Sequence, residues 1–401
     1  MTKKVLISGA SISGPTTAYW LARNGFDVTV LERASELRLG GQNIDITDAA
    51  RDIVELMGLR DAIADRHTGE KGLRFVDEDG EVQGSFPVDQ EVTWTREVEI
   101  LRGDLAKLIV DACPDSVDWR FGDHITALEE EGDKVRVEFA EGEAETFDIV
   151  VAADGMNSGT RDLIVGDDQT EDYLGCWASY FTIPRYERDN DWWNWYTSSN
   201  GIIVFLRPDN QGTIRASVNF LSDDSNPDHM SLEDKKRILK DKLRGSGWES
   251  DRVAHDLDGV DDIFLGPLHQ VKADRWSSGR CVLTGDAAYC PTPYTGMGTT
   301  LAIIGSYILA NELAAHDDHK AAFDKYERKF RDFAEKSQKL WPGVPDLAYA
   351  ESEWKKYLIN LGAGLAASAP MQKLVALFDG GDDENDFELP KYENRAARET
   401  A

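Results

Sequence analysis

The first 32 residues alternate between two apolar runs and one stretch with helical spacing. Val5 to Ser8 is a short apolar run that ends at Gly9, and residues 28–31 form a second run that ends at Glu32. Between them, residues 12–24 place apolar side chains on one helical face. Short continuous apolar runs are typical of buried parallel strands. The pattern therefore predicts a strand–helix–strand unit at the start of the chain.

Beyond this unit, the pattern predicts a mixed region that ends in long helices. Helical spacing is found in four segments: residues 48–57, 102–112, 231–244 and a stretch from about 299 to 340 that breaks near His316. Strand patterns are found in residues 72–77, 81–86, 124–130, 134–140 and 144–151. The first two of these strands flank Glu78-Asp79-Gly80 and predict a hairpin.

Residues 176–220 are rich in Trp, Tyr and Phe, with turn signals at 199–201 and 209–212. This aromatic-rich composition, interrupted by turn signals, predicts an antiparallel sheet that forms a smaller domain. Alternation places Trp177, Ser179 and Phe181 on one face of its first strand and Tyr180 on the other. We expect most of these rings to be core packing, and some to roof a pocket for a flat ligand.

Composition limits the classes of partner. The chain has 401 residues, 41% of them hydrophobic, which is enough for one large or two ordinary globular domains. Its net charge of −30 repels phosphate backbones and anionic lipid, so neither nucleic acid nor a membrane is an expected partner. No targeting signal is visible, and the four cysteines lack a Cys-x-x-Cys pair. These features predict a cytoplasmic protein with reduced thiols.

The turn after the first strand carries a nucleotide-binding pattern. Gly9-Ala10-Ser11-Ile12-Ser13-Gly14 matches G-x-G-x-x-G with serine at the middle glycine, in the strand–turn–helix context that the motif requires. Glu32, at the end of the second strand, is placed to bind ribose hydroxyls and disfavours a 2′-phosphate. The site could hold NAD or FAD. The alternative is a glycine-rich turn that binds nothing.

Two later segments favour FAD. Asp154-Gly155 follows a predicted strand and opens a helix, and Gly285-Asp286 also follows a strand. Asp286 can accept hydrogen bonds from a ribityl chain. The glycines at 296 and 298 allow a loop to lie flat against a ring, and the helix after them directs N–H dipoles at a reduced flavin.

In the order of these elements, the chain resembles the class A flavoprotein monooxygenases, which have the para-hydroxybenzoate hydroxylase-like fold. Within them it is similar to the tetracycline-inactivating and related antibiotic-modifying members, from Val5 to about residue 345. The resemblance, with the motifs above, implies these cofactor-binding residues: Gly9, Ser11, Gly14, Glu32, Arg33, Asp45, Arg102, Asp154, Gly155, Asp286, Gly296, Met297, Gly298 and Thr299. Four positions depart from the family pattern: Ser11 for glycine, Tyr289 for histidine, Thr300 for asparagine and Gly305 for aspartate.

The resemblance implies an FAD-dependent monooxygenase. NADPH or NADH would reduce the flavin, molecular oxygen would add at C4a, and the hydroperoxide would pass one oxygen to an aromatic or polycyclic small molecule. Antibiotic modification or natural-product tailoring is the implied role, in a monomer or homodimer. A single dinucleotide motif implies that the nicotinamide donor binds transiently elsewhere. No catalytic side chain is assigned.

Other functions remain open from the sequence. The same scaffold serves halogenases, dehydrogenases and prenyl-chain reductases, and the departures keep a non-catalytic flavin- or drug-binding protein open. The halogenase motif is incomplete, since Trp193-Asn194-Trp195 lacks the Ile-Pro that would follow. His316 and His319 lie at an expected helix break without a zinc-type cluster, so we expect no metal. Candidate substrate-pocket residues are Phe181, Trp195, Arg215, Asn219 and Pro293.

These inferences together predict an α/β protein. A Rossmann-like FAD-binding domain carries an inserted antiparallel-sheet substrate domain and is followed by C-terminal helices. The expected bounds are 1–70, 97–170 and 275–345 for the FAD domain, 71–96 and 171–274 for the substrate domain, 346–378 for a helical segment and 379–401 for a loosely held acidic tail.

Overall fold

The structure, a computed structural model, describes residues 2–47, 49–88, 99–225, 230–340, 343–368 and 387–392. The strands are β1 Lys4–Ser8, β2 Asp27–Glu32, β3 Asn43–Asp45, β4 Gly72–Val76, β5 Val82–Pro87, β6 Glu99–Leu101, β7 Asp118–Phe121, β8 Ile125–Glu131, β9 Lys134–Phe139, β10 Glu145–Phe147, β11 Ile149–Ala152, β12 Gln169–Pro184, β13 Trp193–Thr197, β14 Ile202–Pro208, β15 Thr213–Leu221, β16 Phe264–Ala273, β17 Ser277–Ser278 and β18 Cys281–Leu283. The helices are α1 Ser13–Arg23, α2 Ala49–Leu56, α3 Arg60–Ala64, α4 Arg102–Ala112, α5 Gly159–Val165, α6 Leu232–Leu243, α7 Ser250–Asp256, α8 Asp286–Tyr289, α9 Gly298–Ala315, α10 His319–Ser337 and α11 Glu353–Ala366.

The first sheet has the strand order β17-β18-β11-β1-β2-β7. All its neighbouring strands run parallel except the short pair β17 and β18. The β1–α1–β2 unit is confirmed, and Val5, Leu6 and Ile7 are fully buried, as expected of a strand covered on both faces. Helices α1 and α9 contact each other beside this sheet.

The second sheet has the strand order β16-β12-β15-β14-β13-β4-β5. The predicted β4–β5 hairpin is confirmed, and it joins β13 through a parallel pairing within an otherwise antiparallel sheet. One face buries Trp177, Phe181 and Tyr196 in a core with residues of α6 and α7. The opposite face packs in part on a smaller cluster with Tyr349 and leaves the rings of Tyr180, Trp195 and Phe205 partly buried, so it is the face that can meet a ligand.

The turn between β1 and α1 depends on two glycines. Gly9 has a φ of +105°, which L-residues with a side chain rarely adopt. A Cβ on Gly14 would overlap the carbonyl oxygen of Gly9. The small residues of this motif are therefore required by close backbone approach, as the sequence pattern predicts.

The expected division of the chain into domains stays a prediction. Of the expected substrate domain, residues 89–96 and 226–229 lie outside the described residues, as do most of the expected tail and residues 369–378. The described part of the tail, residues 387–392, differs from the expectation of loose attachment. Phe387 packs 5.0 Å from Phe333 between ring centroids, and the Tyr392 hydroxyl donates to Glu312 at 2.6 Å.

Candidate cofactor and substrate site

A cavity of about 3300 Å³ lies between the carboxyl ends of the first sheet's strands and the open face of the second sheet. Ordinary ligand pockets measure about 300–1,000 Å³, so this space has room for more than one ligand. Every candidate cofactor and substrate residue borders it except Gly14, which lies behind the turn in α1. The carboxyl ends of parallel strands are where open α/β sheets bind ligands.

At the end of the cavity that would bind the nucleotide, backbone hydrogen bonds hold the Glu32 side chain beside the turn between β1 and α1. Its carboxylate accepts the backbone N–H of Ala10 at 2.9 Å and of Ala34 at 3.0 Å. The side chain is nearly buried, and each oxygen has a further lone pair for a ribose hydroxyl. Arg33 follows it at the cavity rim with an exposed side chain.

Arg102 bridges the turn and the neighbouring loop. Its Nη1 donates to the Ser11 hydroxyl at 2.7 Å and its Nη2 to the Gly40 carbonyl at 2.6 Å. Burial lowers the pKa of Arg102, but nearby carboxylates oppose that effect, and a guanidinium keeps its charge in proteins. The serine that replaces the motif glycine thus supplies an acceptor for this arginine.

These groups fit a pyrophosphate. Helix α1 begins without a side chain that caps its first turn, so its leading N–H groups and the positive end of its dipole point toward the cavity end at Ser11. With Arg102 beside them, they form the donor set that a dinucleotide phosphate requires.

The other end of the cofactor region fits a flat ring on a hydroxyl-rich chain. Asp286 follows β18, and burial raises the pKa of its carboxyl to about 6 against the opposing charge of Arg102. Gly155 and Gly296 both have positive φ, and no described atom would lie within 4 Å of a Cβ on either. This open cradle, with α9 starting at Gly298 without a side-chain cap, suits the isoalloxazine of FAD.

The departures from the family pattern are accommodated within the structure. A Cβ on Gly305 would overlap the hydroxyl of Tyr289. Tyr289, which is larger than the histidine of the family pattern, therefore occupies space that Gly305, which is smaller than the aspartate of that pattern, leaves open. The Tyr289 hydroxyl pairs with Thr284 at 3.1 Å and with Tyr326 at 3.0 Å. Thr300 pairs with the Thr47 hydroxyl at 2.8 Å.

The open face of the second sheet forms an aromatic wall. Trp195 lies 4.4 Å from Phe205 and 6.0 Å from Trp193 between ring centroids, and all three border the cavity. Phe181 also borders it, but its ring belongs to the core on the opposite face. Tyr180, at the alternate position, is the ring of β12 on the cavity side and stacks on Phe264.

Asn219 offers hydrogen-bond donors in a fixed orientation. Its Oδ1 accepts the backbone N–H of Ser179 at 3.3 Å and the Ser217 hydroxyl at 2.8 Å. Because a backbone N–H can only donate, the amide oxygen is assigned to that side and the NH₂ to the other. The side chain is 5% exposed and borders the cavity, so it suits a ligand oxygen that accepts.

The guanidinium of Arg215 donates its hydrogen bonds to acceptors within the protein. Its Nε donates to Asp209 at 2.9 Å, its Nη1 to Thr182 at 2.9 Å and its Nη2 to Gln211 at 2.9 Å. It borders the cavity as predicted, but these bonds leave little capacity for a ligand. Pro293 lies in the loop before α9, next to the left-handed Gly296.

Sequence reasoning missed a buried charged cluster beside the aromatic wall. Arg207 on β14 contacts Glu70 and Glu99, and its guanidinium lies 4.0 Å from the centroid of the Trp193 ring. The three charged residues are distant in sequence and belong to no motif. No signal in one sequence would have grouped them.

Metal sites and membrane spans were also sought. Within the described residues, His, Cys, Asp and Glu side chains do not come together in threes around a point that could hold a metal ion. Across the same ranges, each helix is too short or too polar to span a bilayer.

Comparisons with known proteins agree with this geometry. The family model described as "FAD binding domain" matches residues 2–339. A flavin-dependent monooxygenase of Legionella longbeachae is 34% identical over 98% of both chains. Among solved structures, the tetracycline destructase Tet(51) has a TM-score of 0.79 and 28% identity, covering 98% of this chain and 100% of its own. Tet(55) has a TM-score of 0.77 and 30% identity, covering 98% and 99%.

Proposed function

Because the chain belongs to the FAD-binding-domain family and is an FAD-dependent monooxygenase, we propose that its substrate is a flat aromatic or polycyclic molecule with an accepting oxygen. One observation carries this proposal: a single cavity is lined by the cofactor cradle, the aromatic wall and Asn219. A planar ring system gains contact area against Trp195 and Phe205. The fixed NH₂ of Asn219 would orient a carbonyl, phenol or enol oxygen.

The residues of this chain bind, orient and exclude water. Bound FAD would supply the oxygen-activating chemistry. Glu32 would bind the ribose hydroxyls, Arg102 and the start of α1 the pyrophosphate, and Asp286 the ribityl chain. The wall of Trp193, Trp195 and Phe205 would exclude solvent from one side of a bound substrate.

NADPH or NADH is the proposed reductant, and it would bind transiently. The turn at Gly9 is the dinucleotide motif found in the sequence, and FAD would fill it. The similarity to tetracycline destructases supports antibiotic modification as one candidate role, with natural-product tailoring as the other.

The substrate proposal is tested by turnover of the FAD-loaded enzyme. NADPH and NADH would be supplied with polyphenols and tetracycline-like polycycles, while oxygen uptake and the product mass in ¹⁸O₂ are followed. We expect one labelled oxygen atom in the product of at least one planar substrate. Consumption of NAD(P)H without an oxygenated product across the panel would contradict the proposal.

Asn219→Asp tests the orienting role. The carboxylate keeps the acceptor for Ser179 and Ser217 but loses the NH₂, so we expect kcat/KM to fall about 10–100-fold. FAD content should stay unchanged. The control is Ser217→Ala, which removes one bond to Asn219 and leaves its donors in place, with a smaller loss. Equal kcat/KM for Asn219→Asp and the parent enzyme would rule out this role.

A further inference from the structure

The cluster beside the aromatic wall joins three parts of the chain. Arg207 on β14 donates through Nε to Glu70 at 2.9 Å and through Nη2 to the same carboxylate at 3.2 Å. The same Nη2 also donates to Glu99 on β6. Thr68 donates its hydroxyl to the second oxygen of Glu99 at 2.5 Å. The second sheet is thereby tied to the β3–β6 ribbon that borders the cofactor region.

Burial makes the charge of this cluster costly. The side chains of Glu70 and Glu99 are 0% and 2% exposed, and that of Arg207 is 11% exposed. Two carboxylates reach one guanidinium nitrogen, and Asp45 on β3 also acts on Glu70. Like charges in such a site disfavour full ionisation of the group. The charged groups facing Glu70 are Arg207, Glu99 and Asp45.

We propose that Glu70, Glu99 and Arg207 form a clasp that retains one proton on its carboxyls and positions the Trp193 wall of the substrate cavity. With that proton, Arg207 pairs with one ionised carboxylate of the clasp behind the wall, and Asp45 is the further acidic group nearby. Without it, a net negative charge lies next to the Trp193 ring and draws Arg207 away from it. Glu70 and Glu99 are positioning residues, since they do not border the cavity and act through Arg207, which does.

Glu70 is the member assigned to carry the proton. Burial raises the pKa of its carboxyl to about 8, although Arg207 opposes the shift. Glu99 accepts hydrogen bonds from Thr68 and from Arg207. The wall should therefore keep its geometry up to about pH 8 and lose it above.

The neighbouring pair of Asp209 and Arg215 offers a matched contrast. Arg215 lies opposite Arg207 across β14 and β15, and the Asp209 side chain is likewise buried. Burial raises the pKa of Asp209, but hydrogen bonds from Thr213 and the charge of Arg215 outweigh it and lower the pKa on balance. At neutral pH, Asp209 is therefore ionised, whereas Glu70 is protonated.

The experiment compares Glu70→Gln and Asp209→Asn in the FAD-loaded enzyme between pH 6.5 and 9.5. Infrared difference spectra between the two ends should show a buried carboxylic acid in the parent protein that is lost in Glu70→Gln. This readout needs no substrate, so it separates a failure of the clasp from a failure of the proposed function on which the wall's role rests. Asp209→Asn should keep the signal and melt at a lower temperature.

Coupling of NAD(P)H oxidation to product is the second readout. In the parent enzyme the coupled fraction should fall at least twofold above about pH 8, and in Glu70→Gln it should stay level. Arg207→Met should uncouple at every pH, with partial rescue in Arg207→Lys. An absent infrared signal, or the same alkaline fall in the parent and in Glu70→Gln, would overturn the proposal.

Discussion

At the scale of single residues, Glu32 combines two tasks. Its carboxylate accepts one backbone N–H group from the turn between β1 and α1 and one from the turn that follows β2, and its remaining lone pairs are available to a ribose. A lost charge-assisted hydrogen bond costs about 1.5–3 kcal/mol. Both the cofactor and the shape of its turn therefore depend on this side chain.

Glu32→Ala should weaken FAD binding about 10–150-fold, the equivalent of that energy. Titration of FAD into the apoprotein, followed by quenching of flavin fluorescence, measures the Kd. Glu36→Ala is the control, because it makes the same change of charge at an exposed position nearby. A Kd unchanged by Glu32→Ala would remove Glu32 from the FAD site.

At the scale of elements, the cofactor turn depends on how closely α1 approaches β1. Gly14 lies against the backbone carbonyl of Gly9. Neither backbone segment can move apart to make room for a side chain without opening the turn. Added volume in such a contact usually costs about 1–3 kcal/mol, and occasionally more. Such added volume at Gly14 would also displace the start of α1, which would hold the pyrophosphate.

Gly14→Val should give protein with little bound flavin and a lowered melting temperature. The flavin absorbance of the purified protein and its thermal unfolding are the measurements. Gly362→Ala is the matched control, because a Cβ there would meet no described atom within 4 Å and α11 gains helix propensity. Normal yellow protein from Gly14→Val would contradict the close-packing assignment.

At the scale of the whole molecule, the net charge of −30 acts on every anionic partner. The proposed reductant is an anion, whereas many aromatic substrates are neutral. Exposed charges repel over about 30 Å at 0.01 M salt and about 8 Å at 0.15 M. Approach of NAD(P)H should therefore be limited by the protein's own field at low salt.

Raising the ionic strength from about 0.01 to 0.15 M should lower the KM for NADPH or NADH severalfold, because screening removes that repulsion. Steady-state kinetics at saturating substrate give the value. The KM of a neutral aromatic substrate, measured in parallel, should change little. A KM for the nicotinamide that rises with salt would indicate a local basic site that dominates the net charge.

The sequence by itself determined the local parts of this protein. The strand–turn–helix with Gly9 and Gly14, the acid at the end of β2 and the hairpin at β4–β5 follow from short-range patterns, because backbone geometry and side-chain period act over a few residues. The family resemblance then supplied the order in which distant pieces, such as Asp154 and Asp286, meet at one cavity.

Only the tertiary structure decided which groups share a site across the fold. Alternation showed that Phe181 and Tyr180 point to opposite faces, but the packing of α6 and α7 decided which face is core. The pairing of Tyr289 with Gly305, and the meeting of Glu70, Glu99 and Arg207, join residues 16 to 137 positions apart. Such contacts arise from how elements pack, and one sequence without its fold carries no period or spacing that reveals them.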